Sequence, residues 1–548
     1  MAGENIFRGA MVLAVASFTT KILGMLYKIP ITNIIGDQGN AIYASAYNIY
    51  VLLITFSAIG MPSAISKLVS ERRAVGAHKE AHKVYRVALG YAVVLSIILA
   101  SILWFGAESI ALTMQNENLV MPLRALAPTA VIVTIMAVTR GYLQGTGNMV
   151  PTAISQVTEQ AFNALFSVIL AYVFVSNGIV AAATGSTIGT GVGAISGLII
   201  LMVIYFRKKS GLKIQKSSDS IYKDEKITTI LYAILWTVVP IVLSTSVFAI
   251  ITNIDTLMLN VYLPEAIETL VETDKFHMIH VTGAEDMTTP QIVDSLTGQY
   301  LGKYLTLINV PVALILTIAM AATPAISADM AQRNYANVRN KIRMILKVGA
   351  LFAVPATVGL TIFAEPIMKL LYSNASDGYR LLMYGSVSIL FIALAQLTTG
   401  VLQGMGKQFI PTQNAFIACI LKVAINFLFL KVPELNVYSV VHSTTICYIL
   451  YSILNVTYIY KHVELTLNWK SIAILPAISA ILMGVVARLM YTLLVLLTKS
   501  SAISLFISIC CAVIVYFIIG VYIGAITKKD LDNIPGGNKL VKVVRFIK

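Results

Sequence analysis

Apolar stretches of about 20 residues, each long enough to cross a ~30 Å hydrocarbon core, recur along the whole chain with charged residues gathered between them. Their centres fall near residues 20, 53, 96, 132, 164, 192, 243, 314, 354, 391, 421, 448, 484 and 513. This pattern predicts an all-α integral membrane protein of about 14 transmembrane helices. The first stretch runs from about Ala10 past Pro30 and carries Lys21. It exceeds the ~7–15 residues of a signal-peptide core, so it is expected to stay in the membrane.

Composition agrees with the pattern. Of 548 residues, 57% are hydrophobic and 12% charged, with a mean hydropathy of +0.82. That excludes an ordinary soluble domain. The net charge of +15 is concentrated in a few connections. Arg72, Arg73, Lys79, Lys83 and Arg86 follow span 2, seven basic residues from Arg207 to Lys226 follow span 6, and Arg333 to Lys347 follow span 8. The tail adds Lys528, Lys529, Lys539, Lys542, Arg545 and Lys548. All are even-numbered exits, which predicts cytoplasmic termini in a multi-pass cell-membrane protein. The connection at about 263–299 is acidic and is expected outside. Scattered basic loops without aromatic interleaving argue against nucleic acid as a partner and for anionic lipid headgroups. Cys419, Cys447, Cys510 and Cys511 all fall within spans, form no metal spacing and read as packing residues.

Two motifs occur twice. Gly141-Tyr142-Leu143-Gln144-Gly145-Thr146-Gly147 with Pro151-Thr152 returns as Gly400-Val401-Leu402-Gln403-Gly404-Met405-Gly406 with Pro411-Thr412. Pro62-Ser63-Ala64-Ile65-Ser66 before Arg72 returns as Pro324-Ala325-Ile326-Ser327 before Arg333. A separation of about 260 residues implies two related halves of six spans each, and an even number makes them parallel repeats. The expected lobes are 1–206 and 228–462, joined by a linker at 207–227. An extra helix pair at 463–527 and a basic tail at 528–548 follow. Each G-x-L-Q-G-x-G reads as a helix end and tight turn entering a Pro-led helix, an elbow and not a phosphate loop.

Spans arranged as six, six and two, with that elbow in both lobes, resemble the multidrug/oligosaccharidyl-lipid/polysaccharide flippase superfamily. The match is nearest its stage V sporulation protein B and MurJ-type branch. Arg8-Gly9, Lys21-Ile22-Leu23-Gly24-Met25, Gly60 to Lys67, Arg140 to Gly145, Pro151 to Gln156 and Glu159-Gln160 carry it. The resemblance covers nearly the whole chain. It implies a flippase that moves an undecaprenyl-pyrophosphate-linked saccharide, lipid II for peptidoglycan synthesis among them, to the outer leaflet. It also implies cell-wall synthesis machinery as a neighbour and a monomer as the working unit.

Ionisable residues at membrane depth need a cavity or a counter-charge. Lys21 lies ~20 Å into span 1, and Lys28 is two turns on along the same face with Gly24 between. Two ammonium groups on one face suit a pyrophosphate. In the family the first basic position matches Lys21, whereas the second matches Tyr27 and not Lys28, so Lys28 reads equally as a snorkelling residue. Arg140 reads as a headgroup contact or an interfacial anchor; its counterpart in the second half is Thr399. Glu159, about eight residues into span 5, is expected to pair with Lys21 or to take up a proton. In the second half Asp255, near Asn253, and Lys422 are the buried charges. They read as a mutual salt bridge or, since Asp255 matches a sodium-binding position of some family members, as an ion site that Lys422 disfavours. Arg488 in span 13 suits an anionic group in a lateral lipid groove, while Lys303 and Arg124 are expected to snorkel.

No cofactor is expected, and the absence of a Walker motif argues against direct ATP coupling. Na+, H+ or the membrane potential remain as drivers of two lobes rocking about a central cavity. The alternatives are a flippase for another lipid-linked polymer such as a teichoic-acid precursor, a cation-coupled drug exporter and, from another class, a membrane glycosyltransferase. His277 and His280, three residues apart in the acidic connection, lack the further ligand a metal or catalytic site would need.

Overall fold

The computed structural model describes residues 15–209, 222 and 225–528. Arg8-Gly9, most of the 207–227 linker and all but the first residue of the basic tail lie outside the described residues. Within them every regular element is helical. The helices fall into two compact units. One comprises the chain to Glu265 together with Glu285–Gly302; the other comprises Ala266–Ala284 and the chain from Lys303.

The first unit contains α1 (15–26), α2 (Lys28–Ile54), α3 (Met61–Ala74), α4 (His78–Phe105), α5 (Ala107–Thr113), α6 (Val120–Gly145), α7 (Val150–Phe174) and α8 (Ile179–Lys209). It also holds most of α9 (Ile227–Glu272) and all of α10 (Thr289–Gly298). In the second unit follow α11 (Leu305–Ala331), α12 (Tyr335–Ile362), α13 (Ala364–Leu371), α14 (Tyr379–Gly385) and α15 (Ser388–Gly404). Its last members are α16 (Phe409–Leu430), α17 (Tyr438–Val463), α18 (Leu475–Thr498) and α19 (Ser501–Tyr522). Large apolar side chains such as Phe105, Trp236, Phe506 and Leu497 stand exposed on the helices, as lipid-facing surfaces require.

By length and apolarity, 11 helices among the described residues can cross a membrane, or 12 if α14 and α15, bent by 52° at their junction, form one span. The expected count of 14 is not reproduced. One reason is that spans 1 and 2 are not separated by a loop. Val15–Ala74 is a 60-residue helical stretch that turns at Gly36, whose φ of 65° and ψ of −172° are open to glycine and strained for other residues.

The units also divide the chain elsewhere than the duplication suggested. α9 packs with the first unit through Glu265, where the sequence placed span 7 in the second lobe. The acidic connection expected at 263–299 is shorter too. α9 continues to Glu272, and Pro290 starts α10 behind a Thr288/Gln291 capping box. The stretch from α10 to Gly302 lies against α2 at backbone distance. A Cβ on Gly298 would stand 1.9 Å from the Asp37 carbonyl, and one on Gly302 would collide with the Asn40 amide.

The repeated motifs meet each other in space. In the first unit a Cβ on Gly141 would lie 2.9 Å from Pro62, and one on Gly145 would lie 2.8 Å from the Ser66 carbonyl. In the second, Gly400 abuts the Ala319 carbonyl and Gly404 the Thr323 carbonyl, each at 2.7 Å from the would-be Cβ. The first two glycines of the motif are therefore helix-contact residues of the small-x-x-x-small kind. The third glycine makes the turn, with φ of 83° at Gly147 and 75° at Gly406. Reading Gly145 as a capping residue is thus corrected: it packs.

Candidate functional site

α1 runs into α2 without losing its helical path. The amide of Tyr27 donates to Leu23 O at 3.2 Å, and that of Ile31 donates to Tyr27 O at 3.3 Å. Lys21, Gly24 and Lys28 therefore share one face, as their spacing predicts. That face is turned toward α7, because a Cβ on Gly24 would meet the Gln160 amide at 3.1 Å. Lys21 is exposed and Lys28 half-buried. Among the described residues neither has an ion-pair partner.

Across from this face sits a charge cluster on α6 and α7. Arg140 Nη2 donates to Glu159 Oε2 at 2.7 Å and to Ser155 Oγ at 2.8 Å. The expected Glu159–Lys21 pair is thereby replaced, and Arg140 is no surface anchor, being only 12% exposed. The cause lies in α8, whose Gly185, Gly189, Gly193 and Gly197 recur every fourth residue and let α7 approach backbone to backbone. A Cβ on Gly193 would stand 2.5 Å from Glu159 O, and one on Gly197 would stand 3.0 Å from Glu159 Cβ. α7 is thus held so that the carboxylate reaches the neighbouring guanidinium. Arg140 Nε and Gln156 Oε1 are buried without a partner among the described residues, so the cluster retains hydrogen-bonding capacity. Tyr27 OH meets Tyr43 OH at 3.0 Å, and Tyr43, Tyr47 and Tyr50 stack along α2. Among the described residues named here, three cations, Lys21, Lys28 and Arg140, stand against the carboxylate of Glu159. Ser155, Gln156 and Gln160 were not singled out from the sequence as chemistry. The four-residue glycine period of 185–197 was the available signal for the tight contact that places them.

Asp255 and Asn253 belong to the first unit, not the second. Asp255, 2% exposed, accepts a hydrogen bond from Tyr300 OH at 3.3 Å. Asn253 Nδ2 donates to Asn48 O at 3.1 Å and to Ala249 O at 2.8 Å, and its Oδ1 is buried with no partner among the described residues. Two residues apart on one helix, these side chains point in different directions. No group of three or more His, Cys, Asp or Glu that could hold a metal occurs among the described residues.

In the second unit, the position matching Arg140 carries a neutral network. Thr399 Oγ1 and Tyr451 OH are 2.8 Å apart, Asn455 Nδ2 donates to Thr398 Oγ1 at 3.1 Å, and Asn414 Nδ2 donates to Asn455 Oδ1 at 2.9 Å. Lys422 is buried on α16. Arg488 edges a groove of about 540 Å³ lined by Thr361, Ile362, Glu365, Tyr379 and Gly484. Arg124 is exposed and paired with Glu108, in keeping with a surface position. Lys303 does not snorkel. It is fully buried, with its ammonium donating to the carbonyls of Ala375 and, at 3.0 Å, Asp377, because the 372–378 turn folds over it. Cys419 and Cys447 are buried as expected, but Cys510 is exposed on α19 and Cys511 half-buried.

The histidine loop is tied to the second unit. Thr282 donates from its amide and hydroxyl to Asp377 at 2.6 and 2.7 Å, Lys275 pairs with Glu434 at 2.7 Å, and Arg380 contacts the His280 ring. Burial lowers the His280 pKa; the Met278 carbonyl works against that and the Arg380 cation adds to it. An imidazole held neutral beside a guanidinium is a structural clasp.

The family described as polysaccharide biosynthesis protein matches residues 6–330, and the MatE family matches 300–428. Stage V sporulation protein B of Bacillus subtilis (strain 168) is 24% identical over 546 residues, spanning 99% of this chain and 100% of that protein. Lipid II flippase MurJ of the same organism is 24% identical over 448 residues, spanning 79% and 78%. A solved structure of lipid II flippase MurJ in an inward closed conformation shares the fold, with a TM-score of 0.66, 16% identity and coverage of 94% and 98%. Matched over more than half of its length, the chain belongs to the polysaccharide biosynthesis protein family and is a many-helix membrane transporter of the multidrug/oligosaccharidyl-lipid/polysaccharide superfamily, not an enzyme.

Proposed function

We propose that this protein is a flippase that carries an undecaprenyl-pyrophosphate-linked saccharide, lipid II in particular, from the inner to the outer leaflet of the bacterial cell membrane. The observation that carries the reading is the face of α1 and α2 bearing Lys21 and Lys28, turned toward α7 and short of counter-charge. A pyrophosphate crossing bare hydrocarbon would cost tens of kcal/mol, and two ammonium groups on one face offset that charge. Arg140 would join them by exchanging Glu159 for a phosphate oxygen. Its free Nε and the Gln156 amide oxygen offer further sites for the headgroup.

Lys422 is the second-half contact in this scheme, and the groove at Arg488 takes an anionic or lipid portion of the substrate. Both termini lie in the cytoplasm. Resetting the empty, cationic cavity draws on the membrane potential, roughly 2.3 kcal/mol per charge per 100 mV, or on Na+ or H+ engaging Asp255, Asn253 or Glu159. The decisive experiment measures outward exposure of lipid II in cells whose other flippases are deleted, with this gene present or depleted. Undiminished exposure on depletion would sink the proposal. Equal identity to stage V sporulation protein B supports a second reading, export of a different lipid-linked glycan. The same assay run with other undecaprenyl-linked saccharides separates the two.

A further inference from the structure

α4 begins in charge and continues in apolar side chains along one face. Lys83, Arg86, Val87, Gly90, Tyr91 and Val94 fall at helical spacing. Together with Ile227 and Leu231 at the start of α9 they line a trough of about 610 Å³ within the first unit. The two cations sit at one end, and the apolar part, Val87 to Val94, extends ~10 Å along the helix axis. The trough is open to the surroundings, since Val94 is 61% and Ile227 57% exposed. A Cβ built on Gly90 meets nothing within 4 Å, so the floor of the trough is empty at that point.

The Glu225 carboxylate does not neutralise this end. Glu225 is occupied by Arg72, which holds it through Nη2 at 2.7 and 2.8 Å and through Nε at 3.1 Å. Lys83 is steered into place by donating to the Glu225 carbonyl. Arg86 makes no hydrogen bond or ion pair among the described residues. Two positive groups at the end of a short, open apolar channel match one ligand chemistry, a phosphodiester bearing hydrocarbon. We infer that this trough is a binding site for a single anionic phospholipid, separate from the transported substrate. Lys83 and Arg86 engage the phosphate, and an acyl chain lies along Gly90, Tyr91 and Val94.

Native mass spectrometry of the full-length protein, released from micelles containing equal phosphatidylglycerol and phosphatidylcholine, tests the site without reading transport. The wild type should retain one phosphatidylglycerol, favoured roughly tenfold or more over phosphatidylcholine. Lys83→Ala with Arg86→Ala should bring the ratio close to unity. Gly90→Leu should reduce retention of both lipids while raising thermal stability or leaving it unchanged. Lys407→Ala, an exposed cation in the other unit, should change nothing. The inference is overturned if the double variant keeps the preference, if Gly90→Leu binds like wild type, or if Lys407→Ala lowers the ratio as far. Competition by millimolar glycerol phosphate would also overturn it, since the ligand would then be a soluble phosphate.

Discussion

Where Arg140 of α6 holds Glu159 at 2.7 Å, the matching position of α15 is Thr399, whose hydroxyl meets Tyr451 at 2.8 Å. The elbows around these residues are otherwise built alike. Gly141 and Gly145 press on the Pro62–Ser66 segment as Gly400 and Gly404 press on Ala319 and Thr323, and Gly147 and Gly406 turn with positive φ. Helix contact constrains the glycines because nothing larger fits between backbones. The residue just before them faces inward and is free to change. One lobe has kept a charge pair there and the other an amide and hydroxyl network. The first is suited to exchanging a partner with an anion, the second to holding helices together.

The largest test of this asymmetry is Lys21→Ala against Lys422→Ala. The first should abolish complementation of a flippase-deficient strain at unchanged membrane abundance, and the second should leave partial growth. Equal loss in both would erase the distinction between the lobes. Next, Arg140→Ala should lower stability by about 3 kcal/mol by stranding the Glu159 carboxylate. Arg140→Met with Glu159→Gln should recover most of that loss in a thermal melt of the purified protein while transport stays impaired. A double variant that transports normally would make the pair purely structural.

The shared part of the comparison is tested by Gly145→Val and Gly404→Val. Each forces a side chain against a neighbouring carbonyl and should cost about 1–3 kcal/mol, by a similar margin in both units. A benign result in either would show that the contact yields. Asn455→Ala, which removes a fully buried amide bonded to Thr398 and Asn414, should cost about 1–2 kcal/mol and leave transport per folded molecule intact. The smallest effect concerns pH. His280 titrates below its ordinary value, so the native loop binds fewer protons than the unfolded chain, and its stability is lost as pH falls through about 6.5. Hydrogen-exchange protection factors of residues 276–282, corrected for the intrinsic rate, should fall on acidification, and His280→Gln should flatten that response.

Much of this was legible in the chain. The apolar runs mark the helices because a 20-residue span leaves no other way to satisfy its backbone in lipid. The duplication marks the elbows, and the helical spacing puts Lys21 and Lys28 on one face. Pairing was not legible. The sequence offered Lys21 or a proton to Glu159 and a headgroup or the interface to Arg140; the glycine period of α8 brings α7 close enough for Arg140 to take the carboxylate. Lys303 sat where a long side chain would ordinarily reach water, and only the turn at 372–378 showed that it is covered.

The sequence by itself determined a polytopic helical membrane protein, its repeated elbows and the cationic face of its first span, since each depends on local periodicity and on the cost of charge in lipid. Tertiary structure alone decided which carboxylate meets which cation, that the helix bearing Asp255 packs with the first unit, and that a trough opens beside Gly90. Those depend on distances between segments far apart in the chain, and such distances are set by small residues and close helix contact that no single stretch encodes.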